Sequence, residues 1–99
     1  MMGAIYATTF KRAKEKIFEI IVDYQLCNHQ LIKKECGRKS ITAYFSNGDI
    51  WCAYEHNGSN SCGRRFNVVY VDYLFYEDER KLLASRACLP PYTGITYFS

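Results

Sequence analysis

The sequence predicts an α/β fold: a small, mainly parallel sheet with an antiparallel hairpin and two helices, all in one domain spanning residues 1–99. Three observations carry that prediction. Residues 66–79 (FNVVYVDYLFYEDE) begin with β-branched and aromatic side chains and hold no Gly, Pro or charge before Asp72. That is the composition of a strand buried on both faces. In residues 10–25, Ala13, Ile17, Ile20, Ile21 and Tyr24 recur at intervals of three and four, the apolar stripe of an amphipathic helix. An Asn47-Gly48 step separates the β-rich runs SITAYF and IWCAY, which is a strong hairpin signal.

The remaining elements follow in chain order. Residues 3–7 (GAIYA) form a short apolar run suited to a first strand, and Thr8 and Thr9 are candidate N-caps for the helix behind it. On that helix Lys11, Arg12, Lys14, Glu15, Lys16 and Glu19 lie mainly opposite the apolar stripe, as a solvated face. Cys27-Asn28-His29 ends the helix, residues 31–36 alternate weakly, and Gly37-Arg38-Lys39 reads as a turn. After the hairpin, residues 55–65 (EHNGSNSCGRR) are polar and Gly-containing, hence a loop. Residues 77–88 (EDERKLLASRAC) read as a second helix with acids in its first turn, which favours the helix dipole. Pro90 and Pro91 stop it, and residues 94–98 (GITYF) supply a last strand. Strands separated by helices imply right-handed crossovers and a parallel sheet, with the hairpin as an antiparallel addition.

Composition narrows the function classes. With 48% hydrophobic and 23% charged residues, 99 residues suffice for one core and do not describe a disordered segment. The net charge of +3 is too small to argue for nucleic acid alone. Nine Tyr and six Phe against one Trp serve either a core filled with large residues or a partner-facing surface. Five Cys in an odd count at irregular spacing do not read as a disulfide framework. The amino-terminal stretch MMGAIYATTF has no charged segment followed by a long apolar run, and no stretch approaches the ~20 apolar residues of a membrane span. The expectation is a cytoplasmic protein with reduced thiols, no membrane and no cofactor.

Several constellations of chemistry-bearing residues stand out. Asp72 sits at the carboxyl end of the predicted central strand, where open α/β sheets place ligands. Glu77, Asp78 and Glu79 could join it as a divalent-metal site, or simply open the helix. Cys52, His56 and Cys62, with His29, are the right types for zinc, but C-x3-H-x5-C lacks the paired C-x-x-C knuckle. A Cys-His nucleophile drawn from them has no third orienting group. Arg64 and Arg65 could contact phosphate or an acidic partner. Lys11, Arg12, Lys14 and Lys16, together with Arg64 and Arg65, form a candidate nucleic-acid surface whose mark would be salt dependence.

The order of these motifs resembles an internal piece of the ATPase domain of bacteriophage large terminases, over roughly ninety residues. The likeness rests on IYATTFKRAKEKIFEII after the phosphate-binding helix, ITAYFSNGDIW as a hairpin, and SCGRRF as an Arg-Gly-type loop. It continues with NVVYVD as the Walker B strand, EDERKLLASRA as an acidic helix, and GITYFS as a coupling motif ending in Ser99. The resemblance implies a truncated P-loop ATPase core in which Asp72 is the Mg²⁺-coordinating carboxylate. It departs from the family in two places. No G-x-x-x-x-G-K-[ST] loop is present, and Tyr73 stands where the catalytic Glu belongs, a residue type poorly suited to act as a base at neutral pH. Asp72 is therefore a metal ligand only if nucleotide is bound.

These readings converge on an expectation of no enzymatic activity. The resemblance implies a phage or prophage protein acting in the host cytoplasm by binding another macromolecule. By analogy with small phage proteins it would inhibit a host defence nuclease complex, as anti-CRISPR proteins do. Arg64, Arg65, Tyr73 and Tyr76 are the expected anchors on a protein or nucleoprotein partner. The alternative is a packaging-ATPase fragment, active only when another chain supplies the phosphate loop.

Overall fold

In the computed structural model, which describes residues 1–56 and 65–99, six strands and two helices follow one another as the sequence predicts. They are β1 (Met2–Ala7), α1 (Phe10–Leu26), β2 (Leu31–Cys36), β3 (Ser40–Phe45), β4 (Ile50–Glu55), β5 (Val68–Asp72), α2 (Glu77–Ala87) and β6 (Ile95–Phe98). The strands form a single mixed sheet in the order β2-β3-β4-β1-β5-β6. Strands β4, β1, β5 and β6 are parallel, and β2-β3-β4 is an antiparallel meander. The predicted α/β class, with a parallel sheet and an antiparallel hairpin addition, is the class observed.

The strand about which the sheet is built is β1 rather than β5. All of β1 beyond Met2 is buried, whereas Val68 and Tyr70 of β5 are only half-buried. The reason is position: β1 feeds the cores on both faces, whereas α1 lies over β1, β4 and β3 rather than over β5. Phe66 lies outside β5, in an isolated bridge to Cys88.

The connection from β1 to β4 crosses the sheet in one direction, and that from β5 to β6 in the other. Right-handed crossovers must then lie on opposite faces. They do. Ile5 and Ala7 point into a core with Ala13, Ile17, Ile20 and Ile21 of α1, while Ala4 and Tyr6 point into one with Ala84 and Ala87 of α2. Alternation along β1 thus feeds both cores.

Local chemistry explains the ends of α1. Thr9 is the N-cap, its side chain accepting from the Arg12 amide. At the other end Asn28 takes a positive φ of 64°. The Asn28 amide bonds to Gln25 O and the His29 amide to Tyr24 O, which is a Schellman closure. Beneath α1, Trp51 lies flat over Gly3: a Cβ at Gly3 would stand 2.5 Å from the indole ring. Gly3 is there because nothing larger fits between β1 and the ring that stacks on Tyr70 5.5 Å away.

Helix α2 is held more lightly. Its buried side chains are Ala84 and Ala87, with Leu83 partly buried and Leu82 exposed. Its start has no side-chain cap; Glu77, Asp78 and Glu79 in the first turn complement the dipole instead.

Candidate functional site: the carboxyl edge of the sheet

The strand order reverses between β1 and β5, whose following connections diverge onto opposite faces. That switch point is where open α/β sheets form a ligand crevice. Here the chain fills it with its own groups. Asp72, fully buried at the end of β5, faces the Thr8-Thr9 turn that leads from β1 into α1.

Both carboxylate oxygens of Asp72 are engaged. Oδ2 accepts from the Thr8 amide at 2.9 Å, the Thr8 hydroxyl at 2.8 Å and Arg12 Nε at 2.7 Å. Oδ1 accepts from the second arm of Arg12 at 2.8 Å and from the Leu74 amide at 3.0 Å. The Arg12 contact is bidentate, the strongest form of charge-assisted pairing. Burial pushes the Asp72 carboxyl up, but the Arg12, Thr8 and Leu74 donors outweigh it and bring it down to about 2. Arg12 is held in turn, its guanidinium 5.7 Å from the centre of the Phe98 ring on β6.

A second carboxylate stands beside the first. Glu55, at the end of β4, accepts from the Phe10 amide in the first turn of α1 at 3.3 Å and pairs with Lys39 at 3.1 Å. An anion-attracting helix N-terminus at a switch point is the usual phosphate position. In this chain its neighbourhood is supplied with two internal carboxylates.

The residues singled out as a metal or nucleic-acid site take the following places in the fold. Asp72 presents its oxygens to protein donors, and Glu77, Asp78 and Glu79 lie on α2. Among the described residues no group of three His, Cys, Asp or Glu side chains is placed to hold a metal. Cys52 is buried in β4 and accepts weakly from the Thr42 hydroxyl at 3.8 Å. His56 is buried edge-on to Tyr6 and Phe75, and burial lowers its pKa. His29 is at the opposite end of the sheet beside Asp49, and Cys62 and Arg64 lie outside the described residues.

The basic residues of α1 each have their own neighbours. Arg12 is committed to Asp72. Lys16 lies over Tyr70 and Phe98 and pairs with Glu19 at 3.5 Å, and Lys14 lies over Phe10. Lys11 is exposed. Arg65 is exposed, its guanidinium reaching the Cys88 carbonyl at 3.5 Å.

Next to the closed switch point, the β5–α2 connection is open. Tyr73 is 57% exposed, Leu74 63% and Tyr76 81%, with Tyr97 of β6 at 42%. Arg80 orders two of them, Tyr73 and Tyr97. Its guanidinium stacks 4.1 Å from the Tyr73 ring centre and 5.9 Å from Tyr97, and donates to the carbonyls of Tyr73 at 2.7 Å and Phe75 at 3.3 Å. Tyr73 and Tyr76 were legible as candidate anchors, whereas Arg80 and Tyr97 were not. Arg80 comes from within a run of helix charges, and Tyr97 becomes a neighbour only when β6 pairs with β5.

Crevices of different size lie toward the two ends of the parallel strands. One of about 40 Å³, the size of a water or two, is lined by Arg12, Glu15, Lys16, Glu19, Phe98 and Ser99. Another, at the amino end of the parallel strands, is lined by Asp23, Tyr24, Cys27, His29, Asn47 and Asp49. No helix is long and apolar enough to cross a membrane among the described residues. Compared with known proteins, the chain matches no family model, no curated protein and no solved structure.

Proposed function

We propose that this chain is a non-enzymatic binding protein that occupies a surface on a protein or nucleoprotein partner through the Tyr73–Tyr76 connection. In keeping with the terminase-like order of its motifs, we place it among small phage or prophage proteins of the host cytoplasm, with a host defence nuclease complex as the target class. One observation carries the reading. The Asp72 carboxylate at the sheet's ligand-binding edge is enclosed by five donors, while the Tyr73 and Tyr97 side chains beside it are held outward around a pinned arginine.

The energetics favour tyrosine here. An exposed Tyr or Leu gains by burial against a partner, and Tyr loses few rotamers in doing so. Stacking with Arg80 fixes Tyr73 beforehand, which lowers the ordering cost of association.

The test is capture of a nuclease complex from phage-infected host lysate by the tagged chain and by a Tyr73→Ser/Tyr76→Ser variant of equal helix content. Loss of the same complex from the variant supports the reading; equal capture by both overturns it. Phosphate release from ATP and Mg²⁺ by the purified chain alone, abolished in Asp72→Asn, would also overturn it.

A further inference from the structure

At the far edge of the sheet from Tyr73, strand β2 has an unusual standing. It is the terminal strand, and five of its six residues, Ile32 to Cys36, are exposed. Helix α1 covers β1, β4 and β3 but barely reaches β2. Its outer rim holds the chain's charge. Residues 31–41 contain Lys33, Lys34, Arg38 and Lys39 against Glu35 alone. The chain's other 9 basic residues (of 13) and 9 acidic residues (of 10) cancel, so the whole +3 resides on this limb.

The backbone at this edge is regular enough to extend. The Gly37 amide bonds to the Ser40 carbonyl at 2.8 Å across the turn. Antiparallel alternation then turns the N–H and C=O of Glu35 and Lys33 toward β3, and those of Lys34 and Cys36 outward. The only irregularity in the β2–β3 register lies between Leu31 and Lys33, before this stretch. Lysines at an edge commonly prevent self-association. Two copies of β2 paired antiparallel about Lys34, whose backbone faces outward, would set the two Lys34 side chains against each other, a destabilising like-charge contact.

We infer that β2 is a docking edge for an extended acidic segment of a partner protein, which adds to the sheet as a seventh strand. Neighbouring residues of a strand point to opposite faces, so Lys33 and Lys34 offer one cation on each face. Lys33 already stands 3.3 Å from Glu35 and over the Tyr44 ring on one face. An added strand with two adjacent acids reaches both faces at once, whereas a nucleic-acid backbone approaches from one side. Backbone bonds to Lys34 and Cys36 supply affinity, and the flanking cations select the acidic sequence.

The probe is the hexapeptide Val-Thr-Glu-Glu-Val-Thr, compared with its Gln-Gln and Lys-Lys counterparts and a short DNA duplex. Binding is read by fluorescence anisotropy and by amide NMR shifts of the full chain. The Glu-Glu peptide is expected to shift the Lys34 and Cys36 amides and to bind at least about tenfold tighter than the Gln-Gln peptide. Cys36→Pro, which keeps every charge but removes an outward donor, should abolish binding. Lys33→Glu/Lys34→Glu should transfer the preference to the Lys-Lys peptide, and it carries the test if the proline variant fails to fold. The inference is overturned if the Glu-Glu peptide fails to bind at millimolar concentration, or binds without moving those amides. It is equally overturned if charge reversal leaves the preference unchanged or the duplex shifts the same amides more strongly.

Discussion

Asp72→Asn is the substitution that tests the switch-point account most directly. It changes shape little, removes the charge opposite Arg12, and turns one acceptor into an NH₂ donor. Whichever way the amide is turned, that donor faces fixed N–H donors: Arg12 and the Leu74 amide on one side, or Arg12 and the Thr8 amide on the other. Removing one partner of a buried ion pair costs about 3–5 kcal/mol. Arg12 keeps 27% of its side-chain surface exposed and can regain water, so the low end of that range, about 3 kcal/mol, is expected here. Against a domain stability of roughly 5–15 kcal/mol this is a large share.

The pH dependence gives an independent number. The folded carboxyl titrates at about 2 against an ordinary 3.8, a depression worth on the order of 2 kcal/mol. The sign follows from linkage: this contribution is complete above the unfolded value and is lost as pH falls through the folded one. Urea unfolding followed by Trp51 fluorescence at pH 7, 4, 3 and 2 measures it. Wild type should exceed Asp72→Asn most at pH 7, with the gap narrowing below pH 4. A variant within about 0.5 kcal/mol of wild type at pH 7, the range of ordinary surface changes, would refute the reasoning. So would a gap that stays constant to pH 2.

Three other substitutions probe the packing toward the amino ends of the parallel strands. Gly3→Ala places a methyl 2.5 Å from the Trp51 ring and should cost about 1–3 kcal/mol while shifting the tryptophan emission. Tyr24→Phe removes the hydroxyl that accepts from Trp51 Nε1 at 2.8 Å and donates to Asp49 at 2.7 Å. It should cost about 1–2 kcal/mol in the same urea assay. Burial, together with the Asp49 contact and against the Trp51 bond, raises the Tyr24 phenol to about 12; in a spectrophotometric titration of the folded chain, the variant should lose one late-ionising tyrosine. Gly94→Ala would drive a Cβ into the Asn67 carbonyl, a backbone atom with little freedom. It should destabilise the β5–β6 pairing by more than the roughly 1 kcal/mol typical of substitutions, seen as faster amide exchange in β6.

The elements were readable in the sequence because their patterns are local. The α1 stripe, the Asn47-Gly48 turn and the acidic opening of α2 each act within a few residues, and each stands where expected. The order of the strands was less readable. Nothing in GAIYA distinguishes it from an edge strand; that β1 is central depends on β4 and β5 both returning to it across more than forty residues. The fate of Asp72 was not readable for the same reason. Four of its five donor groups belong to Thr8 and Arg12, sixty and more positions earlier, and a helix charge pattern assigns Arg12 to the solvent face.

That displacement is instructive about what a carboxylate at a strand end can be. Four apolar residues and an Asp describe only a position, and the same position serves a metal, a substrate or a neighbouring cation. What distinguishes them is which donors share the crevice. Here β1's turn contributes a hydroxyl and an amide, α1 contributes a guanidinium, and β6 closes over it with Phe98. Five donors leave the carboxylate neutralised, buried and depressed in pKa, so the group ties β5 to the entrance of α1 across the switch point. The aromatic loop that leaves β5 immediately afterwards is thereby held by Asp72 at the Leu74 amide and by Arg80 at the Tyr73 and Phe75 carbonyls. A rigid frame behind Tyr73 and Tyr76 is the property a binding surface requires, and Asp72→Asn should loosen it: the Tyr73 and Leu74 amides should lose hydrogen-exchange protection before those of β1 do.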